Sequence, residues 1–97
     1  MKKNSNQSSL KEAIQELLNA YRLNAGIQQA EVKALWDKMM GPYIEKQTEK
    51  VTLENGVLNV KITSAALKNE LMMMRSKIVE KLNAELKRDL IREIKIW

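Results

Sequence analysis

Apolar positions near the start of the chain follow the spacing of an α-helix. Ser9 and Glu12, three residues apart, form a capping box that predicts where this helix begins. The pattern fades at Gly26, and a glycine that can adopt the left-handed conformation predicts the end of the helix. Residues 1–8 are mostly polar and without periodicity, so we expect a flexible tail there. The predicted apolar face consists of Leu10, Ile14, Leu17, Leu18 and Tyr21.

A second helical pattern precedes Gly41-Pro42. Proline lacks the amide hydrogen that would continue the backbone ladder, so this dipeptide predicts the end of the helix. Because proline suits a first helical turn, residues 42–48 are compatible with one further short turn. Trp36 lies on the apolar face and is predicted to be a core residue. The apolar positions of this pattern are Val32, Leu35, Trp36 and Met39.

A β-hairpin is the clearest single feature of the sequence. Asn55-Gly56 is a preferred sequence for a two-residue type I′ turn, and the alternating segments 50–54 and 57–63 flank it. The alternation makes one face of the hairpin apolar and the other polar. In the predicted register Val51 lies opposite Val60 and Leu53 opposite Leu58, with Ile62 extending the same apolar face.

The region 64–88 is predicted to be helical, and a third strand is predicted after it. Ser64 is suited to an N-cap. The pattern fits one long helix, or two shorter ones broken near residues 75–77 with Ser76 as the second cap. Residues 90–97 alternate as a strand does, and a helix continuing from residue 87 is the alternative. The helical stripe consists of Leu67, Leu71, Met74, Ile78, Leu82 and Leu86.

The predicted elements occur in the order helix, helix, strand, strand, one or two helices, strand. The simplest packing is an α+β fold in which a three-stranded sheet carries helices on one face. The helical region 64–88 then supplies the crossover to the last strand. With 97 residues the chain has the size of one domain, predicted to span residues 9–97.

The composition argues against an enzyme. Without cysteine or histidine the chain lacks thiolate nucleophiles, thiolate zinc ligands and the commonest acid–base side chain. No glycine-rich phosphate loop or nucleophile elbow is present, so no catalytic, metal or cofactor site is predicted. The longest continuous apolar stretch, residues 71–74, is far shorter than the ~20 residues of a membrane span. We therefore expect a cytoplasmic protein with no membrane contact.

Basic residues are concentrated in the C-terminal half of the chain. The net charge is +5, and a basic surface favours polyanions, nucleic acid first. The alternative is an ordinary solvated surface, because acidic residues are interspersed among the basic ones. Lys77, Lys81 and Arg88 are predicted to share one helical face. The candidate nucleic-acid-binding residues are Lys61, Lys68, Arg75, Lys77, Lys81, Lys87, Arg88 and Lys95.

A few large side chains are candidates for contacts with another protein. In the run Met72-Met73-Met74 only Met74 lies on the apolar stripe, so exposure of the others favours a partner over core packing. The terminal Trp97 suits stacking on a base, docking on a protein, or covering a sheet edge. The candidates are Tyr43, Met72, Met73 and Trp97.

The order of several short motifs resembles the DciA family, bacterial proteins associated with loading or operating the replicative DnaB helicase. The resemblance covers residues 10–97 and implies a KH-like α+β domain, affinity for DNA and contact with the helicase. The chain lacks the Gly-x-x-Gly clamp of ordinary KH domains, so a KH-like shape does not bring KH-like chemistry with it. The matching segments are residues 36–41, Thr48, residues 55–60, residues 64–71 and Leu82-Asn83.

Three functions follow from these observations. The first is a non-enzymatic adaptor that binds DNA electrostatically and the replicative helicase through its surface, with DNA favoured over RNA. The second is a protein-interaction module whose basic residues serve solubility alone. The third is an RNA-binding or ribosome-associated domain. Neither a monomer nor a dimer is favoured by the sequence pattern.

Overall fold

A long N-terminal helix, α1 (Lys2–Gln47), extends from a small three-stranded sheet. The computed structural model describes the backbone of residues 2–97 and the side chains from residue 9 onward. The backbone of residues 2–8 is helical, so α1 begins seven residues before Ser9 and the helix start predicted from the capping box is wrong. The flexible tail predicted for residues 1–8 and the domain boundary at residue 9 stay predictions. The molecule measures 65 × 24 × 18 Å and is therefore strongly elongated.

The helix α1 runs through Gly26, so the predicted break at that residue is wrong. A glycine inside a helix costs about 1 kcal/mol relative to alanine, which is too little to end a helix that is favoured on both sides. No atom outside the local helix lies within 4 Å of the position that a Cβ of residue 26 would occupy. Nothing in the fold therefore requires a glycine there.

The predicted stop at Gly41-Pro42 is confirmed as a kink inside α1. Gly41 has φ 88° and ψ 170°, a region of backbone space that is essentially restricted to glycine. The helical stretch that Pro42 begins continues to Gln47, in agreement with the short turn predicted for residues 42–48. Before the kink, Trp36 is fully buried, as predicted for a core residue.

The hairpin is confirmed in both its turn and its register. The strands β1 (Thr48–Glu54) and β2 (Val57–Ile62) are antiparallel, with Val51 opposite Val60 and Leu53 opposite Leu58. Both turn residues have positive φ, 50° at Asn55 and 81° at Gly56, as a type I′ turn requires. The ladder has a bulge near its start, between Thr48 and Lys50.

The helical region after the hairpin forms two helices, α2 (Ala65–Met73) and α3 (Arg75–Leu86). Ser64 is the predicted N-cap of the first, since its Oγ accepts a hydrogen bond of 3.2 Å from the Leu67 amide. The break falls at Met74, one residue before the predicted interval. Ser76 lies inside the first turn of α3, so its predicted role as the second cap is wrong, and no side chain caps this helix. Met74 is half exposed, so its predicted core position is wrong, although it borders the buried Leu71 and Ile78.

The last strand, β3 (Glu93–Ile96), pairs in parallel with β2 at one edge of the sheet. Lys87 has φ 59° and ends α3, so the alternative of a helix continuing from residue 87 is wrong. Ile91 lies before the strand and is buried, although the predicted alternation placed it on the polar face. Asn83 on α3 fixes this approach, because its side chain hydrogen-bonds both the amide and the carbonyl of Ile91, at 2.9 and 2.7 Å.

The predicted α+β class is confirmed, with one core between the helices and one face of the sheet. The crossover between the parallel strands β2 and β3 is the pair α2 and α3, as expected. The half of α1 before residue 28 lies beyond this core and is exposed throughout its described side chains. The core residues are Val32, Trp36, Val51, Leu58, Val60, Ile62, Leu67, Leu71, Ile78, Leu82, Leu86, Ile91, Ile94 and Ile96.

Candidate nucleic-acid interface

One end of the outer face of the sheet is basic. Lys50 and Lys61 are paired across β1 and β2, and Lys95 on β3 lies opposite Asn59. Trp97 closes this end: the Lys61 Nζ lies 4.9 Å from the centroid of its ring, a cation–π distance. Strand pairing thus brings three lysines and an exposed aromatic ring to one end of an open face.

The opposite end of this face is acidic. Glu54 on β1 and Glu93 on β3 both lie opposite Val57, the first residue of β2. At the basic end, Glu49 approaches Lys61 at 3.8 Å, but both side chains are about half exposed, and such surface pairs are worth little. The electrostatic attraction for a polyanion is therefore stronger at the end of the face that bears Lys61 than at the acidic end.

A groove follows the open edge of β3, beside this basic end. The strand is at the edge of the sheet, so its outer side carries backbone groups free of strand pairing. Arg75, at the start of α3, lies on the helical side of the groove and also lines its continuation toward Arg92. We call this the β3 groove; its lining residues are Asn59, Met72, Arg75, Glu93, Ile94, Lys95, Ile96 and Trp97.

Arg92, beyond the far end of the groove, has a structural role. Its Nη2 and Nε donate hydrogen bonds to the Asn55 carbonyl at 2.7 and 3.2 Å. A Cβ on Gly56 would stand 2.8 Å from the Arg92 Nε, so the turn glycine also makes room for this side chain. The guanidinium therefore fixes the hairpin turn to the start of β3.

A comparison with protein-family models agrees with the family resemblance that the order of the sequence motifs indicated. A family model described as "Dna[CI] antecedent, DciA" matches residues 9–96, nearly the whole chain. The chain belongs to the DciA family. The family is associated with loading of the DnaB helicase, and membership of it implies interaction with that helicase. The family is not a known class of enzyme. No curated protein and no solved structure matches the chain.

The other predicted basic residues of this DciA protein lie away from the β3 groove. Arg88 lies after the end of α3, where it pairs with Glu31 of α1 at 2.9 Å, so the predicted shared face with Lys77 and Lys81 is wrong. Lys87 is the C-cap residue of α3. Lys68, on α2, is partly buried. The eight candidates thus divide among several surfaces of the described chain.

Lys77 and Lys81 lie at a second groove, which sequence reasoning did not predict. It lies between α1 and the pair α2 and α3, and most of its lining is apolar. The only sequence signal was the abundance of methionine, because the contributing residues are far apart in the chain. We call it the methionine groove; it is lined by Met39, Met40, Ile44, Leu71, Met74, Lys77, Ile78 and Lys81.

The four predicted protein-contact residues are exposed but do not form one patch among the described residues. Met72 and Trp97 line the β3 groove, beside Arg75. Met73 and Tyr43 are exposed and line neither groove. Met72 and Met73 are both exposed, which is the condition under which the sequence favoured a partner over core packing, and a role of the four residues in protein contacts stays a prediction.

The described residues hold no cluster suited to a metal, since no three acidic side chains converge. Over the same residues, none of the helices combines the length and apolar character needed to cross a bilayer.

Proposed function

We propose that this DciA protein is a non-enzymatic adaptor that binds DNA at the β3 groove and the replicative helicase through a separate surface. The observation that carries the DNA part is the convergence of Lys61, Lys95 and Arg75 around Trp97. The helicase part is supported by membership of the DciA family. The protein acts by binding alone, without turnover of a substrate.

The β3 groove suits a nucleic-acid strand for two physical reasons. The basic side chains of the groove, Arg75 and Lys95, together with Lys61 beside it, can contact successive phosphates of the strand. Such contacts give affinity without sequence preference. The exposed Trp97 offers a ring on which an unpaired base can stack, and base–aromatic stacking contributes about 1–3 kcal/mol per base. Single-stranded DNA therefore fits this site better than a duplex, whose bases are already stacked.

The KH-like description stays a prediction. Ordinary KH domains hold the nucleic-acid backbone with a Gly-x-x-Gly loop. None of the three glycines of this chain, Gly26, Gly41 and Gly56, lines the β3 groove. The proposed binding therefore depends on charge and stacking by side chains.

The test compares two double variants that each remove two positive charges. Arg75→Gln with Lys95→Gln removes both positive charges that line the groove, and Lys38→Gln with Lys46→Gln removes the charges of two exposed lysines of α1 outside it. Fluorescence anisotropy with labelled single-stranded DNA at about 50 mM salt should show a loss of about tenfold in the groove variant. The α1 variant should stay within about twofold of the parent protein.

Equal losses in the two variants would mean that the overall charge, rather than the β3 groove, attracts DNA. Absence of binding by the parent protein at about 50 mM salt would remove the DNA part of the proposal, since electrostatic binding is strongest at low salt. Competition by RNA of the same length measures whether DNA is preferred.

We propose the methionine groove as the surface that contacts the helicase. Methionine side chains are flexible and polarisable, and they adapt to apolar partners. The rim lysines, Lys77 and Lys81, favour a partner segment that is apolar on one side and acidic at its border. This surface lies on a different side of α3 from Arg75, so DNA and helicase need not compete.

The helicase contact is tested with two matched methionine substitutions. Met74→Glu places a charge in the methionine groove, whereas Met73→Glu places the same charge on a neighbouring exposed residue outside it. In a nuclease-treated pull-down with purified DnaB helicase, we expect Met74→Glu to lower recovery at least severalfold and Met73→Glu to leave it unchanged. Loss caused by Met73→Glu alone would place the contact on the exposed methionine run instead.

A further inference from the structure

The first half of α1 carries an apolar face that no described part of the chain covers. Every residue from Ser9 to Ile27 is exposed. Leu17 is 69% exposed and Tyr21 is 67% exposed, values far above those of ordinary packed side chains. Contiguous apolar surface of this kind marks an interaction site. The face consists of Leu10, Ile14, Leu17, Leu18 and Tyr21.

This face is the direct continuation of the face that packs in the core. With 3.6 residues per turn, Ile14 and Tyr21 lie on the same side of α1 as the buried Val32. Tyr21 lies beside Leu53 and Leu90, at the end of the sheet that bears the hairpin turn. On the N-terminal side of Tyr21 the apolar spacing of a packed helix continues, but no strand of the sheet lies beneath it.

We propose that this face pairs, antiparallel, with the same face of a second copy of the chain. Leu10, Ile14, Leu17 and Tyr21 are separated by alternating steps of four and three residues, the spacing of a coiled-coil seam. In the antiparallel pair Leu10 of one copy lies opposite Tyr21 of the other, and Ile14 lies opposite Leu17. Twofold symmetry generates a second copy of each of these two contacts, so the dimer contains four packed apolar layers.

The charge of the exposed helix favours a second copy over other occupants. Residues 9–27 contain two basic residues, Lys11 and Arg22, and two acidic ones, Glu12 and Glu16, so the segment has no net charge. A polyanion has no attraction to such a segment, and a helix that lies on membranes has a polar face rich in lysine and arginine. Two neutral copies, in contrast, do not repel each other.

The small side chains on one flank of the face allow the two helices to approach closely. Ala13 and Ala20, two turns apart, both lie on this flank. The distance between packed helices depends on the side chains at the contact, and alanines bring it to the short end of the range. In the antiparallel pair Ala13 of one copy is near Ala20 of the other.

The antiparallel direction follows from the charge of the rest of the molecule. Residues 28–97 contain 13 basic and 10 acidic residues, a net charge of +3, so two such bodies side by side would repel. Antiparallel pairing separates them by about 35–40 Å along the helices, several times the Debye length of about 8 Å in physiological salt. Antiparallel helix dipoles also attract each other.

The size of the face indicates a reversible dimer. Five partly exposed apolar side chains per copy correspond to a total buried area on the order of 1,000 Å², the lower limit for a specific interface. We therefore expect an equilibrium between monomer and dimer that depends on protein concentration.

The test uses Leu17 and Leu23, which are almost equally exposed, at 69% and 68%, but lie about 120° apart around the helix, so that Leu23 is outside the proposed face. In sedimentation equilibrium without DNA, the parent protein and Leu23→Asp should dimerise, and Leu17→Asp should weaken the dimer at least tenfold. Far-UV circular dichroism checks that both variants lose the same small amount of helix. A parent protein that is monomeric up to about 100 µM, or equal effects of the two substitutions, overturns the proposal.

The direction of pairing has its own test, because the chain has no cysteine. Ala13→Cys and Ala20→Cys proteins are mixed and treated with a short thiol-reactive cross-linker. The antiparallel pair predicts mixed products as the main species. Cross-links predominantly between identical variants would establish a parallel pair and refute the antiparallel arrangement. Neither test depends on DNA or helicase, so its outcome is independent of the proposed function.

Discussion

At the scale of single residues, a short hydrogen-bonded chain joins the kinked end of α1 to the sheet. The Trp36 Nε1 donates to the Thr48 Oγ1 at 3.1 Å, and the Thr48 hydroxyl donates to the Ile44 carbonyl at 2.6 Å. Trp36 is fully buried, so its N–H has no access to solvent. The threonine thus satisfies a buried donor and fixes the first residue of β1 against the helix that precedes it.

Replacing this hydroxyl should destabilise the protein more than the same change elsewhere in the strand. Thr48→Val leaves the buried indole N–H without its partner, and we expect the free energy of unfolding to fall by about 1–3 kcal/mol. Thr52→Val, on the outer face of β1, should have little effect or stabilise slightly, because valine favours strands. Urea denaturation of both variants measures the difference, and equal values would show that the hydroxyl of Thr48 contributes nothing particular.

At the scale of elements, the conformations of two glycines of α1 predict opposite effects of substitution. Gly26 is helical with open space around it, so Gly26→Ala should increase helical content and stabilise by up to about 1 kcal/mol. Gly41 has φ 88°, so Gly41→Ala should destabilise by about 1–3 kcal/mol. Far-UV circular dichroism and urea unfolding measure both changes. A stabilising Gly41→Ala would contradict the kink.

The elements that could be predicted from the sequence are those that depend on local interactions. The turn at Asn55-Gly56 and the register of the hairpin were predicted because positive φ values and alternation are properties of neighbouring residues. The break at Met74 lies one residue outside the predicted interval, since no capping side chain or proline marks it. The run through Gly26 was missed because a single glycine is a weak stop, and its effect depends on the stability of the whole helix.

At the scale of the whole molecule, charge is unevenly placed, and this decides the expected dependence on salt. If DNA contacts Lys61, Arg75 and Lys95, about three phosphates are neutralised, and single-strand binding should weaken with a logarithmic slope of about −2. Raising salt from about 50 to about 200 mM then lowers affinity by somewhat more than tenfold.

The groove variant described above, Arg75→Gln with Lys95→Gln, should reduce that slope to about −0.7. The variant of Lys38 and Lys46 should keep the slope of the parent protein. Anisotropy titrations at several salt concentrations give both slopes. A slope near zero for the parent protein would mean that DNA is held by contacts other than phosphate neutralisation.

The sequence by itself determined the α+β class, the hairpin, the buried Trp36 and the absence of thiol and imidazole chemistry. These depend on composition and on periodicity over a few residues, which folding does not change. Only the tertiary structure decided that Arg75 meets Lys95 and Trp97, that Arg88 pairs with Glu31, and that the first half of α1 has no partner within the described chain. Such groupings depend on the order of the strands and on how far α1 extends beyond the sheet. Packing between segments that are distant in the sequence sets both.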